Sequence, residues 1–373
     1  MFTYPFVYAA ASAVSAWESG TLRKAGVWEM LATRSRLSIA TQSLIPVVLL
    51  CWIALIMPPA ISLAGEGVWP NWLSLRPVFM GLIVVVCHAV IGFTIGTKVS
   101  RVLAAPLLAI GVWIAVAFSI TVDTPWVRHV SGEFPEQLMF GEAAAFSALW
   151  PHVALSGSIA AALALLWSPL RRVWISISLS TIIALSGTLG TYLAVRDYGY
   201  NAPLITGAAQ MSCAKATESH PTICVPEAAD QYLPEATQFA SKILADFQKA
   251  GIKRQPSLIT DSLPDGRFSR PSTRSTWRVP ITLAAQEKDL EFAMVVSAVE
   301  LLCGRPDPYA RRTTLSWASH ITSTQEAWEK YRNHIDRGIK NEKVEEEVSR
   351  VLSMTPEKQA TWFNQTVSKA CGA

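Results

Sequence analysis

Charge is scarce in the first half of this 373-residue chain and ordinary in the second. Of 32 basic and 28 acidic side chains, only 17 fall in residues 1–195, and the other 43 follow. Five stretches, 37–64, 77–97, 102–122, 143–170 and 173–195, carry none at all. Each reaches the roughly 20 residues that cross about 30 Å of hydrocarbon at about 1.5 Å per residue. Buried helices of a soluble protein can be as apolar. Five of them in 195 residues, however, would leave almost no amphipathic helix to cover the rest. With 51% hydrophobic residues and a mean hydropathy of +0.29, the chain is an expected membrane protein.

Other absences exclude chemistry. Within the apolar stretches only His88 and His152 can ionise, which argues against a pump driven by intramembrane carboxylates. A proton relay through His88 competes with the plainer reading of a neutral histidine bonded to a neighbouring helix. No phosphate-binding loop occurs, since residues 92–98 lack the Walker spacing and lie in an apolar stretch. No GxSxG, HExxH or Cys/His nucleophile signature occurs either; His220, His320 and His334 are scattered, and Glu227 with Asp230 is too common a pair to imply a glycosidase. No CxxC or HxxxH spacing suggests zinc. Basic residues do not interleave with aromatics over a long face, so nucleic acid is not an expected partner. The reading is therefore of a chain that is not an enzyme and needs neither metal nor cofactor.

What is present is an order of spans. Residues 2–17 add an uncharged candidate without the basic start of a signal peptide. About six transmembrane helices are expected, near 2–17, 40–63, 77–97, 102–122, 148–168 and 173–195. They form a domain over residues 1–195, followed by a mainly α-helical extracytoplasmic domain over 196–373. Sidedness follows from short loops. Arg23, Lys24, Arg34, Arg36, Lys98, Arg101, Arg171 and Arg172 crowd alternate connections, where only Glu18 and Glu29 oppose them. The intervening loops hold Glu66, Asp123, Glu133, Glu136 and Glu142 against Arg76 and Arg128. The chain is thus expected to start outside, cross six times and leave its C-terminal half outside a cell membrane.

Four of six cysteines, Cys213, Cys224, Cys303 and Cys371, fall in that outer half, whereas Cys51 and Cys87 lie in spans. Two disulfides are expected in an oxidising compartment, and three pairings are open; Cys213–Cys224 with Cys303–Cys371 is favoured. Helical spacing is read at 226–250 with Gly251 as a stop, at 283–303, and at 308–320, 323–337, 340–354 and 356–370. Residues 255–280 read as a long loop with a short strand. In the first half, Pro46, Pro58 and Pro59 are expected to kink or end the second span. Gly92 and Gly96 form a GxxxG that permits close helix approach.

Residues 18–36 show Leu22, Ala25, Trp28 and Leu31 at near-helical spacing, as in an amphipathic surface helix. Here a family resemblance enters. Glu18-Ser19-Gly20-Thr21, followed by Trp28-Glu29-Met30-Leu31-Ala32-Thr33-Arg34-Ser35-Arg36, resembles the first cytoplasmic region of ABC-2-type transporter permeases. The outer domain, with Cys224-Val225-Pro226 read as opening a helix, resembles those of membrane proteins from actinobacterial ABC-export loci. The resemblance implies a permease-like subunit of an export or resistance system, working with an ABC ATPase in trans and forming a dimer. Arg23, Lys24, Trp28, Glu29 and Leu31 would face that partner. The alternative is a membrane-anchored sensor or scaffold whose outer domain binds a ligand.

Overall fold

The computed structural model describes residues 3–30, 35–65, 69–167, 173–215, 221–253, 255–267, 270–299, 306–332 and 341–370. It divides into two compact units. One holds residues 1–138 and 143–205, the other 139–142 and 206–373.

The first unit is a helical bundle: α1 (Thr3–Lys24), α2 (Arg36–Gly65), α3 (Trp72–Gly96), α4 (Arg101–Ala117), α5 (Phe146–Trp167) and α6 (Val173–Val195). Four of them, α2, α3, α5 and α6, are long and apolar enough to cross a membrane. The 17-residue α4 is apolar but shorter, and α1 is long but more polar. Ile53, Ile61, Leu107, Ile110, Ile182 and Leu185 are all at least 55% exposed on α2, α4 and α6. Water would penalise that much bare aliphatic surface, whereas lipid does not. α3 is central, packing against α1, α2 and α5, and α1 also packs along α4. Tyr4, Tyr8, Val47, Leu55, Met80, Val84 and Val85 form the core.

One expectation is narrowed here and one changes. Helix α2 continues through Pro46, Pro58 and Pro59 to Gly65, so none of the prolines ends it. Nor do residues 18–30 form their own helix: α1 runs on to Lys24 and then closes. The Gly26 N–H donates to the Arg23 carbonyl (3.0 Å), and Val27 N–H to Leu22 (3.2 Å), with Gly26 at φ +68°. That is a Schellman stop, and glycine alone takes its left-handed conformation without strain.

The second unit is helical but built on a sheet. Short strands β1 (Glu142–Ala144) and β2 (Leu204–Thr206), most of whose residues belong to the first unit, pair with each other, and the sheet of the second unit consists of β3 (Met211–Lys215), β4 (Thr222–Pro226), β5 (Leu258–Asp261) and β6 (Thr276–Val279). The last four lie in the order β3-β4-β5-β6, the first pair antiparallel and the others parallel. Cys224-Val225-Pro226 therefore ends a strand rather than opening a helix. Residues 255–280, read as a loop, supply the inner strand β5 and the edge strand β6, which pair in parallel. Helix α7 (Leu233–Lys249) packs on β3 and β4, α8 (Ile281–Glu287) on β5 and α9 (Leu290–Val299) on β6. The single helix expected over 283–303 is split at Lys288, whose φ is +60°. Helix α10 (Pro308–Thr322) packs on α7 and α9 and is flanked by α11 (Gln325–Arg332), α12 (Asn341–Leu352) and α13 (Pro356–Ala370). Its Trp317 is fully buried against Phe247 and Phe363, and its indole N–H donates to Gln359 Oε1 (2.9 Å).

Candidate functional site

Helix α1 carries Tyr4, Tyr8, Ser12, Ser15 and Ser19, all buried. The spacing of four, four, three and four puts them on one face. That face meets a glycine-bearing ridge on α3. A Cβ on Gly92 would lie 2.0 Å from the Ser12 carbonyl oxygen; one on Gly96, 2.1 Å from Ser19 Oγ; one on Gly81, 2.5 Å from the Tyr4 ring. The GxxxG thus serves packing within the chain, bringing the α1 and α3 backbones together.

Close approach puts polar groups in register. Ser12 Oγ bonds His88 Nδ1 at 3.2 Å, and the Tyr8 ring stacks on the His88 ring at 5.1 Å. His88 is the histidine bonded to a neighbouring helix. Tyr4 donates to the Pro77 carbonyl (3.1 Å), satisfying an oxygen near the start of α3. Tyr8 donates to the Gly132 carbonyl (2.8 Å), and the Gly132 N–H donates to His152 Nδ1 (2.9 Å). His152 is wholly buried, and its Nε2 has no hydrogen-bond partner among the described residues.

The loop after α4 closes this end of the bundle. Residues Pro125–His129 form one 3₁₀ turn; His129 Nε2 bonds the Gly199 carbonyl (3.0 Å), and Tyr200 donates to the Asp123 carbonyl (3.1 Å). Burial lowers the His129 pKa, outweighing the Gly199 bond that favours its charged form, and burial raises that of Glu133.

At the other end α1 is clamped to the α3–α4 turn. A Cβ on Gly20 would lie 2.6 Å from Arg101 Cβ. The Arg101 guanidinium sits 4.7 Å from the Trp17 ring centroid and donates to Thr21 Oγ1 (2.8 Å), while Arg23 donates to the Thr97 carbonyl (3.4 Å). Of the residues expected to face a partner, Arg23 and Trp28 are half-buried against α3, Trp28 edge-on to Phe93 at 6.3 Å. Lys24 and Glu29 are exposed. Leu31 lies outside the described residues. Sequence periodicity missed the clamp because Thr97 and Arg101 are 74 and 80 residues from their partners, Arg23 and Thr21.

In the second unit, Cys213 and Cys224 form a disulfide across directly paired positions of β3 and β4. Cys303 and Cys371 lie outside the described residues. Among the described residues, Cys51 and Cys87 are the free, buried cysteines, and no cluster of metal-ligating side chains occurs. Open parallel sheets bind ligands beyond the carboxyl ends of their strands. Here that edge is occupied by ion pairs. Buried Asp265 accepts from Arg278 Nη1 at 2.8 Å, and Asp261 accepts from the Thr282 N–H (2.9 Å) and the Leu263 N–H (3.0 Å). Glu142 accepts from the backbone N–H groups of Met139 and Arg267 (both 2.9 Å) and from Arg267 Nε (3.1 Å). Burial by itself would raise the Glu142 pKa, but these bonds and the guanidinium charge hold it below the usual value.

Comparison with protein-family models, with curated proteins and with solved structures gives no match. The resemblance to ABC-2-type permeases therefore rests on the motif residues alone.

Proposed function

We propose that this chain is the membrane subunit of an export or resistance system, driven by a separate ABC ATPase in trans. The observation that carries the reading is the clamp between the end of α1 and the α3–α4 turn. It joins two of the three basic connections at one end of the bundle and leaves Lys24 and Glu29 free to meet a partner. A push on residues 24–30 would pass directly into α1 and α3, which are locked backbone to backbone.

In this reading the bundle crosses the membrane six times, α1 and α4 included. The basic end is cytoplasmic by the positive-inside bias. Residues 206–373 are extracytoplasmic, in keeping with the Cys213–Cys224 disulfide. Cargo is an amphiphilic or peptide-like compound, and a homodimer of membrane subunits is expected by analogy.

Affinity purification from native membranes tests the partnership. An ABC ATPase is expected to co-purify with the wild-type chain and to be lost with Lys24→Glu plus Glu29→Lys. Retention by that variant, or absence of an ATPase throughout, refutes the reading. Labelling of cysteines placed at Ser35 and Ser257 in intact cells tests sidedness: only the second should react with an impermeant reagent.

One observation favours the sensor alternative, a polar groove of about 690 Å³ in the second unit lined by Glu235, Lys288, Glu326 and Lys330. A sensor would tolerate the Lys24 and Glu29 changes and fail when that groove is altered.

A further inference from the structure

Between α3 and α5 the bundle leaves a groove of about 620 Å³. Trp72, Phe79, Phe146, Trp150 and Val153 line it, and its one charged group is Arg76. The half-buried Arg76 makes no ion pair with any described carboxylate. It stands one turn inside α3, about 6 Å along the axis from Trp72. Trp72 and Trp150 are the ring types that settle at headgroup depth. From Arg76 the apolar lining continues to Ile83 and Ala154, about 10 Å further along α3.

We infer that this groove binds one anionic glycerophospholipid of the surrounding bilayer. The phosphate is held by the Arg76 guanidinium and one acyl chain lies between α3 and α5. A cation at headgroup level above a charge-free slot matches a molecule with one negative group above a hydrocarbon tail. A second groove supplies the contrast. Between α1 and α2 lies a space of about 710 Å³, also mainly apolar, whose one charged group is Glu18. It has the same shape class and the opposite charge, so it does not select an anion. The inference needs only that α3 and α5 lie in a bilayer, and it is independent of any ATPase.

Native mass spectrometry of the full-length protein released from detergent, titrated with phosphatidylglycerol, phosphatidylcholine or inorganic phosphate, tests it. Wild-type protein is expected to retain phosphatidylglycerol at about fivefold lower lipid concentration than phosphatidylcholine, as one surface arginine supplies. Arg76→Gln should abolish that preference, Arg76→Lys keep most of it, and Glu18→Gln leave it unchanged. Ala154→Trp, which fills the slot and spares the charge, should lose the retained lipid and decides the matter if Arg76→Gln fails to fold. Equal retention of both lipids, unaltered preference in folded Arg76→Gln, binding of phosphate alone, or occupation by a second copy of the chain overturns the proposal.

Discussion

Gly92 of α3 faces the Ser12 carbonyl of α1 so closely that a Cβ on the glycine would lie 2.0 Å from that oxygen. The obstacle is main chain, which no rotamer change removes. Gly92→Ala should therefore force the two helices apart and destabilise the bundle by about 1–3 kcal/mol, the range for overpacking a tight core. Gly111→Ala in α4, where nothing lies within 4 Å, should be neutral or slightly stabilising. Thermal unfolding in detergent separates the two, and equal melting temperatures would disprove the close contact.

Arg101 ties the α3–α4 turn to α1 through Trp17 and Thr21. Because the site is partly exposed, Arg101→Ala should cost only about 1 kcal/mol. A double-mutant cycle with Trp17→Ala should show coupling of about 0.5–1 kcal/mol. A coupling of zero means the ring and the guanidinium do not meet.

Glu142 is fully buried beside Arg267, over Gly266, where a Cβ would strike its carboxylate. Its folded pKa lies below the usual 4.5. The stability it contributes is present above pH 4.5 and is lost as pH falls through the lower, folded value. Glu142→Gln should cost about 2–3 kcal/mol at pH 7, toward the low side for a broken buried pair because Arg267 is a quarter exposed. It should also flatten the acid limb of a urea-unfolding series between pH 3 and 6. An unchanged acid limb would show that another carboxylate controls it.

Cys213 and Cys224 should yield one linked peptide, lighter by two hydrogens, in a digest without reductant. Reducing the bridge, which spans 11 positions, should destabilise the second unit by about 2–3 kcal/mol. Two free thiols at these positions would contradict both the bridge and the oxidising location.

His129 is buried with a lowered pKa. The unfolded chain therefore binds the extra proton more readily, and stability falls as pH drops below about 6.5. His129→Gln should reduce that loss below about pH 6.5, read by unfolding in detergent. A wild-type slope retained in the variant would exclude this histidine as its origin.

Span composition was legible in the sequence because burial in lipid demands runs of about 20 apolar residues, a signal each stretch carries by itself. The Gly26 stop was also local, yet the helical spacing of Leu22, Ala25 and Trp28 hid it. Four-residue strands such as β5 and β6 could not be read: they are too short for alternation to register, and their partners lie many residues away. The Cys213–Cys224 pairing was accessible through short separation, while its position across two paired strands was not.

By itself, then, the sequence determined which half of this protein is apolar enough for lipid and which residues carry its charge, since these depend on composition alone. The tertiary structure decided that the α3 glycines receive α1 rather than a second protein, that Trp28 turns inward onto Phe93, and that parallel strands form the base of the second unit. Each of these depends on residues far apart in the chain meeting within a few ångströms, and no local pattern specifies that distance.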